Sequence, residues 1–105
     1  MDQIITMSRG NTLSFGIEIE DLEQDLSGAY FSCKADLDDD EYIFNKTLGD
    51  GITKVATGQY IVRVAPADTL NIEPKEYFYA LRLEANSDAF TVLKGILVIE
   101  DDATR

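Results

Sequence analysis

An all-β fold, a single antiparallel β-sandwich of immunoglobulin-like type with about seven strands, is what this sequence predicts, on three observations. Segments in which apolar and polar residues alternate recur at intervals of roughly eight to twelve residues, the spacing of short strands joined by turns. No amphipathic helical pattern interrupts them. The two best-patterned segments are joined by about ten residues, too many for a tight hairpin, which places them in opposite sheets of the sandwich. The 105 residues fit one domain spanning 1–105, in which about two-thirds of the unfolded chain's surface can be buried.

Taken in order, Ile4, Ile5 and Met7 open a short first strand, ended by the turn-forming Ser8-Arg9-Gly10-Asn11. In the next segment Leu13, Phe15, Ile17 and Ile19 share one face, and Ser14, Gly16, Glu18 and Glu20 the other, which puts glutamates toward solvent. The loop Asp21–Gly28 carries Leu26 as an apolar plug for one end of the core. The segment 29–36 sets Ala29, Phe31, Cys33 and Ala35 against Tyr30, Ser32, Lys34 and Asp36, so its inner face is mostly small and its outer face holds a tyrosine. An acidic run, 37–41, leads into a short strand over 42–46, with Lys46 placed as a lysine guarding a sheet edge. Gly49-Asp50-Gly51 supplies a turn, and 52–58 reads equally as a strand or an irregular edge.

The organising stretch is 58–85. Tyr60, Val62 and Val64 alternate with Ile61, Arg63 and Ala65. Pro66 then pre-sets φ for a short helical turn near 66–71, closed by Pro74. Alternation resumes with Tyr77, Tyr79, Leu81 and Leu83 on one face and Phe78, Ala80, Arg82 and Glu84 on the other. Asn86-Ser87-Asp88 is a polar turn, so Glu76–Ala85 should pair antiparallel with Phe90–Glu100. That last strand is apolar on both faces, Leu93, Leu97 and Ile99 on one and Ile96 and Val98 on the other, as in a strand covered on both sides. The tail 100–105 is charged, a composition that predicts fraying.

Composition narrows the chemistry. Nine basic residues stand against twenty acidic ones, a formal charge of -11, which repels nucleic-acid phosphates and anionic lipid alike and excludes both as expected partners. Cys33 is alone, so no disulfide forms within the chain, and it reads as a small core residue. The start has no secretory pattern and no run approaches the roughly twenty apolar residues of a membrane span, which predicts a soluble protein made without a secretory signal.

With no histidine in the chain, the usual neutral-pH base, the usual zinc ligand and any Ser-His triad are missing, so no catalytic residue, cofactor or metal is expected. Asp36, Asp38 and Asp40 match the first, third and fifth positions of a calcium loop, but Glu41 stands where glycine is needed and Thr47 where glutamate is needed. An enzyme would need perturbed carboxylates around Asp38–Glu41. Asn45-Lys46-Thr47 fits a glycosylation sequon and reads as chance in a chain without a signal peptide.

One surface feature stands out. In an immunoglobulin-like strand order, the strands carrying Tyr30, Phe78, Ile96 and Val98 are neighbours, and their outward side chains form a single apolar strip, while glutamates cover the other sheet. Such a strip marks a protein contact. A rival reading is a carbohydrate- or ligand-binding module using Tyr30 and Tyr42, weakened by the absence of tryptophan.

Several pieces carry a resemblance: Leu26-Ser27-Gly28-Ala29 entering a strand, Pro66-Ala67-Asp68-Thr69 leaving one, Tyr77-Phe78-Tyr79, and Gly95 two residues before Leu97. Over nearly its whole length the chain resembles the amino-terminal, immunoglobulin-like domain of baseplate upper proteins and related virion proteins of tailed bacteriophages. The resemblance implies a structural building block of a phage or prophage, assembled in the bacterial cytoplasm and located in the virion. Its partners would be other virion proteins, with contact between several copies of itself also implied, and it brings no active-site residues.

Overall fold

Alternation becomes architecture in the computed structural model, which describes residues 2–19, 26–85 and 88–101. Among them are eight strands and one helical turn: β1 (Asp2–Ser8), β2 (Leu13–Glu18), β3 (Gly28–Lys34), β4 (Phe44–Leu48), β5 (Gly51–Ala56), β6 (Gln59–Val64), α1 (Pro66–Thr69), β7 (Lys75–Ala85) and β8 (Asp88–Glu100). Hydrogen bonding orders them β1-β8-β7-β3-β4-β5-β6-β2. The ladder turns a corner at β4 and β5, which share only the pairs Thr47–Gly51 and Leu48–Ile52. Beyond that corner β5-β6-β2 folds back over β1-β8-β7-β3-β4. Phe15 of β2 meets Phe31 of β3 edge-on at 5.3 Å although the two strands are far apart in the order, as only facing layers allow.

The inward residues are those the alternation assigns. Ala29, Phe31 and Cys33, then Val62 and Val64, then Leu81 and Leu97 are wholly buried. Phe31 is the centre of this core, with Phe44 and Tyr79 rings each at 5.7 Å, distances at which aromatic pairs add to the free energy of burial. Burial pushes the Cys33 thiol up to about 12, which keeps it protonated and inert. Leu26 plugs one end as expected, its N–H donating to the Tyr60 hydroxyl at 3.1 Å. Residues 20–25, the turn residues Asn86 and Ser87, and the tail beyond Asp101 lie outside the described residues.

β6 and β7 do lie in opposite layers, joined through α1. The carboxylate of Asp68 accepts the Ala65 N–H at 2.7 Å and the Lys46 ammonium at 2.7 Å. Thr69, fully buried, accepts the Gly10 N–H at 2.9 Å, tying the crossover to the turn between β1 and β2. At the start of β7 the Tyr77 hydroxyl donates to the Glu73 carbonyl. This is the tyrosine corner of immunoglobulin-like sandwiches, in which a tyrosine near the start of this strand bonds back to the backbone a few residues upstream. Burial first, and the Glu73 charge second, raise the Tyr77 pKa and hold its proton in that bond.

Three expectations change. Lys46 is not an edge guard: it lies opposite Phe31 on the inner face, and β5 continues the ladder beyond β4. Gly51, at φ +99, makes room for it, since a Cβ there would stand 2.5 Å from Lys46 Cδ. The undecided segment 52–58 contains most of β5, with a register shift between Lys54 and Ala56. Two pairings are parallel, β1 with β8 and β4 with β5. β8 also starts earlier than expected and bulges at Val92, where the register passes from Leu81–Leu93 to Arg82–Thr91. Among the described residues no helix is long and apolar enough to cross a membrane.

The corner bond gives a test. Tyr77→Phe keeps the ring and removes the donor to Glu73, so urea unfolding should show a loss of about 1–2 kcal/mol with an unchanged m-value. An unchanged midpoint would mean that the crossover is held without this bond.

Candidate functional site

The register fixes what the outer face of β1-β8-β7-β3 presents. Ile4, Ile96, Phe78 and Lys34 stand opposite one another across four strands, and form one row. On one side of it runs Thr6, Val98 and Glu76. On the other side run Lys94, Ala80, Ser32 and Asn45, and beyond them Arg82, Tyr30 and Thr47. Phe78 and Ile96 are therefore direct cross-strand partners and Val98 is their diagonal neighbour. Phe78 is 36% exposed and Ile4 72%, while Ile96 and Val98 are half-buried.

Tyr30 departs from the single strip expected of it. It pairs with Arg82, two rows from Phe78, and the small residues Ser32 and Ala80 intervene. Its ring folds back over Gly28, where a Cβ would lie 3.3 Å from the ring and 2.7 Å from Glu84 Oε1. Its hydroxyl donates to that oxygen at 3.1 Å, and Arg82 stands 3.6 Å from the other carboxylate oxygen. Hydrogen bonding to Glu84 is the main cause that raises the Tyr30 pKa, followed by the Glu84 charge and burial, with Arg82 opposing.

Between Tyr30 and Phe78 the face sinks into a groove of about 550 Å³. Ser32 and Ala80 lie on its floor and Arg82, Lys34, Leu37 and Tyr42 around it. Lys34 sets its ammonium 5.0 Å from the centre of the Tyr42 ring, a cation–π contact that holds both at the rim. Ser32 donates to Asn45 at 2.7 Å. On the outer faces of β3, β7 and β8 the three cations Lys34, Arg82 and Lys94 stand with three carboxylates, Glu76, Glu84 and Glu100, so in a chain carrying -11 this face is nearer to charge balance than the rest of the molecule.

Two further expectations are corrected. β8 was expected to be covered on both faces, but among the described residues no layer lies over Ile96 and Val98; β1 and β7 flank them in the same sheet. Glutamates do not alone cover the other sheet: beside Glu18 its outer face holds Ser14, Arg63 and Ile61, which is 42% exposed. The acidic stretch 36–41 is exposed, and Asp36 accepts the N–H groups of Asp38 at 3.2 Å and Asp39 at 3.0 Å, the work of a turn residue. Among the described residues no three potential metal ligands come together.

Ile4, Leu37, Arg82 and Glu84 belong to this face without having been singled out in the sequence. A signal exists for the last pair, since a tyrosine two residues after a strand glycine can lie back over it and then needs a partner for its hydroxyl.

No protein-family model matches the chain, and no curated protein matches it by sequence. Solved structures do match. The immunoglobulin-like domain of mouse leukocyte-associated immunoglobulin-like receptor 1, described as a strand-swapped dimer, superposes with a TM-score of 0.55 at 9% identity, covering 91% of this chain and 86% of that one. Extracellular domains of the voltage-gated sodium channel beta4 subunit, described as parallel homodimers in cell-cell adhesion, give 0.49 at 11% identity, covering 96% and 92%. The first likeness, with the tyrosine corner, shows an all-β immunoglobulin-like fold.

The Tyr30–Glu84 bond gives a pH test. A tyrosine whose pKa is raised above its ordinary 10.0 contributes stability that is complete below that value and lost as pH rises through the higher folded one. Glu84→Gln removes the charge that raises it, so the Tyr30 ring resonance should titrate at lower pH than in the parent protein. An unmoved midpoint would show that Glu84 is not its partner in solution.

Proposed function

We propose that this chain is a non-enzymatic structural module of a tailed-phage or prophage virion, assembled in the bacterial cytoplasm, which docks on other virion proteins through the outer face of β8, β7 and β3. The row Ile4-Ile96-Phe78 with Val98 beside it carries the reading. Apolar side chains placed side by side and open to water on one sheet face are what a protein contact buries. The groove beside the row offers a recess for an anchoring side chain, and its flanking cations and Tyr30 hydroxyl offer polar partners at the rim.

The place in a virion rests on the resemblance of the whole chain to phage baseplate domains. Its most specific residues are framework devices: Gly28 receives the Tyr30 ring, Pro66–Thr69 forms α1, and Tyr77 closes the corner. A chain with no histidine and an acidic stretch exposed to water has little with which to perform catalysis. The mouse receptor domain dimerises by exchanging strands, a precedent on this fold for contact between copies.

A second reading is favoured by one observation. Tyr30 and Tyr42 both line the groove, with Asn45 and Arg82 nearby, an arrangement that can stack on and hydrogen-bond a small polar ligand such as a sugar. Glycan-array binding that is abolished by Tyr42→Ala would establish it in place of protein docking; no binding to any glycan would set it aside.

For the first reading, Phe78→Asp should melt within a few degrees of the parent protein, because the side chain is on the outer face. In the bacterium that encodes the chain, the parent protein should be found by mass spectrometry in purified particles after induction, and the variant should be lost from them. Absence of the parent protein from particles would sink the virion reading; unfolding of the variant would place Phe78 in the core.

A further inference from the structure

Among the described residues, each layer of the sandwich ends in a strand with one side open. The strand order ends at β1 on one layer and at β2 on the other, while the opposite side is closed through β4 and β5. Among the described residues, no strand pairs with the outer backbone groups of β1. Natural sheet edges are guarded by a lysine, a proline, a bulge or a shortened strand. β1 has none of these devices: Asp2–Ser8 runs unbroken along β8 for 7 residues, and it contains neither lysine nor proline. From Gln3 to Ser8 it carries no ionisable side chain, in a chain of which 28% is charged. Each edge strand has one terminal carboxylate, Asp2 in β1 and Glu18 in β2, but β2 also carries the strand-weakening Gly16 in its interior.

The charge distribution selects the occupant. At -11, two copies of this chain repel wherever acidic surfaces meet, so the contact that costs least is one where neither copy brings charge. Antiparallel pairing of β1 with β1 about a twofold axis satisfies this, because it sets the uncharged segment 3–8 of each copy against the same segment of the other. It is also self-complementary, as a twofold contact must be. Ile4, 72% exposed at the open end of the row Phe78-Ile96-Ile4, then gains neighbours across the axis. We propose that β1 pairs edge to edge and antiparallel with β1 of a second copy, making one sheet continuous through both molecules. This goes beyond docking through the sheet face and uses a different surface, so the two can fail separately.

A matched pair of variants tests it by sedimentation equilibrium over a concentration series at low and high salt. Thr6→Asp adds a carboxylate at an exposed position on β1, and Phe78→Asp adds the same charge two strands inside the edge. The parent protein should dimerise, more tightly at high salt as repulsion is screened. Thr6→Asp should weaken the dimer by about fivefold or more, because twofold pairing of β1 brings the two new carboxylates close together across the axis, and Phe78→Asp by less than about threefold. The reverse order would overturn edge pairing and assign self-contact to the face instead; a monomer at every concentration would overturn both forms of self-contact. Hydrogen exchange in the parent protein decides independently of whether either variant folds. Only alternate amides of β1 bond to β8, so pairing should add protection at the remaining ones as concentration rises, and a dimer whose outward β1 amides exchange freely would overturn the proposal.

Discussion

One carboxylate holds the crossover on which the arrangement of layers depends. Asp68 receives the N–H of Ala65, the residue that links β6 to α1, sits in α1 and pairs with Lys46 of β4, so a single side chain ties the crossover leaving one layer to a strand of the other. The path from β6 to β7 needs such a tie, because it leaves one sheet and enters the other with a helical turn too short to be stable alone. The pair is largely shielded, with side-chain exposures of 15% and 20%. Removing either member would leave the other charge partly desolvated, a larger loss than the pair's own net contribution. Thr69 and the Tyr77 hydroxyl secure the same corner from either side of the turn.

With the corner fixed, the direction of β7 is fixed, and so is the face it turns outward. Tyr77, Tyr79, Leu81 and Leu83 must then enter the core, which leaves Phe78, Ala80, Arg82 and Glu84 outside with no further freedom. Framework and candidate site are therefore two faces of one strand. The same parity explains the groove. Ser32 and Ala80 are small and adjacent across β3 and β7, while larger side chains stand in the rows on either side, so the depression needs no missing residue or irregular loop.

Most of the strand content was legible because alternation is a local property. A single strand declares which residues face inward, as β3, β6 and β7 do. It declares neither its neighbour nor its direction, and this is why the parallel pairings of β1 and β4 could not be read. Register is equally hidden. Adjacency of β3 and β7 was anticipated correctly, yet the pairing of Tyr30 with Arg82 instead of Phe78 separates a residue that adjacency alone had grouped. Lys46 was misread for the same reason, since the space it fills is created by Gly51 across a strand pair and not by its own segment. The doubly apolar pattern of β8 shows a further ambiguity: a strand covered by its own chain and one awaiting another molecule share a pattern, because both bury both faces in the end.

Net charge resolves part of that ambiguity. A chain at -11 is held apart from copies of itself by a field that salt screens within about 8–10 Å, so any close contact must occur where the field is locally weak. Two such places adjoin one another. The outer face of β8, β7 and β3 balances three cations with three carboxylates, and the edge of β1 brings no charge from Gln3 to Ser8. Acidity elsewhere then acts as selection against wrong contacts: it leaves these surfaces available while making chance association through the rest of the molecule unfavourable. For a domain with an unguarded sheet edge this matters, because an edge competent to pair with one partner is competent to pair with many. The acidic surround, and not the edge itself, is what limits that promiscuity.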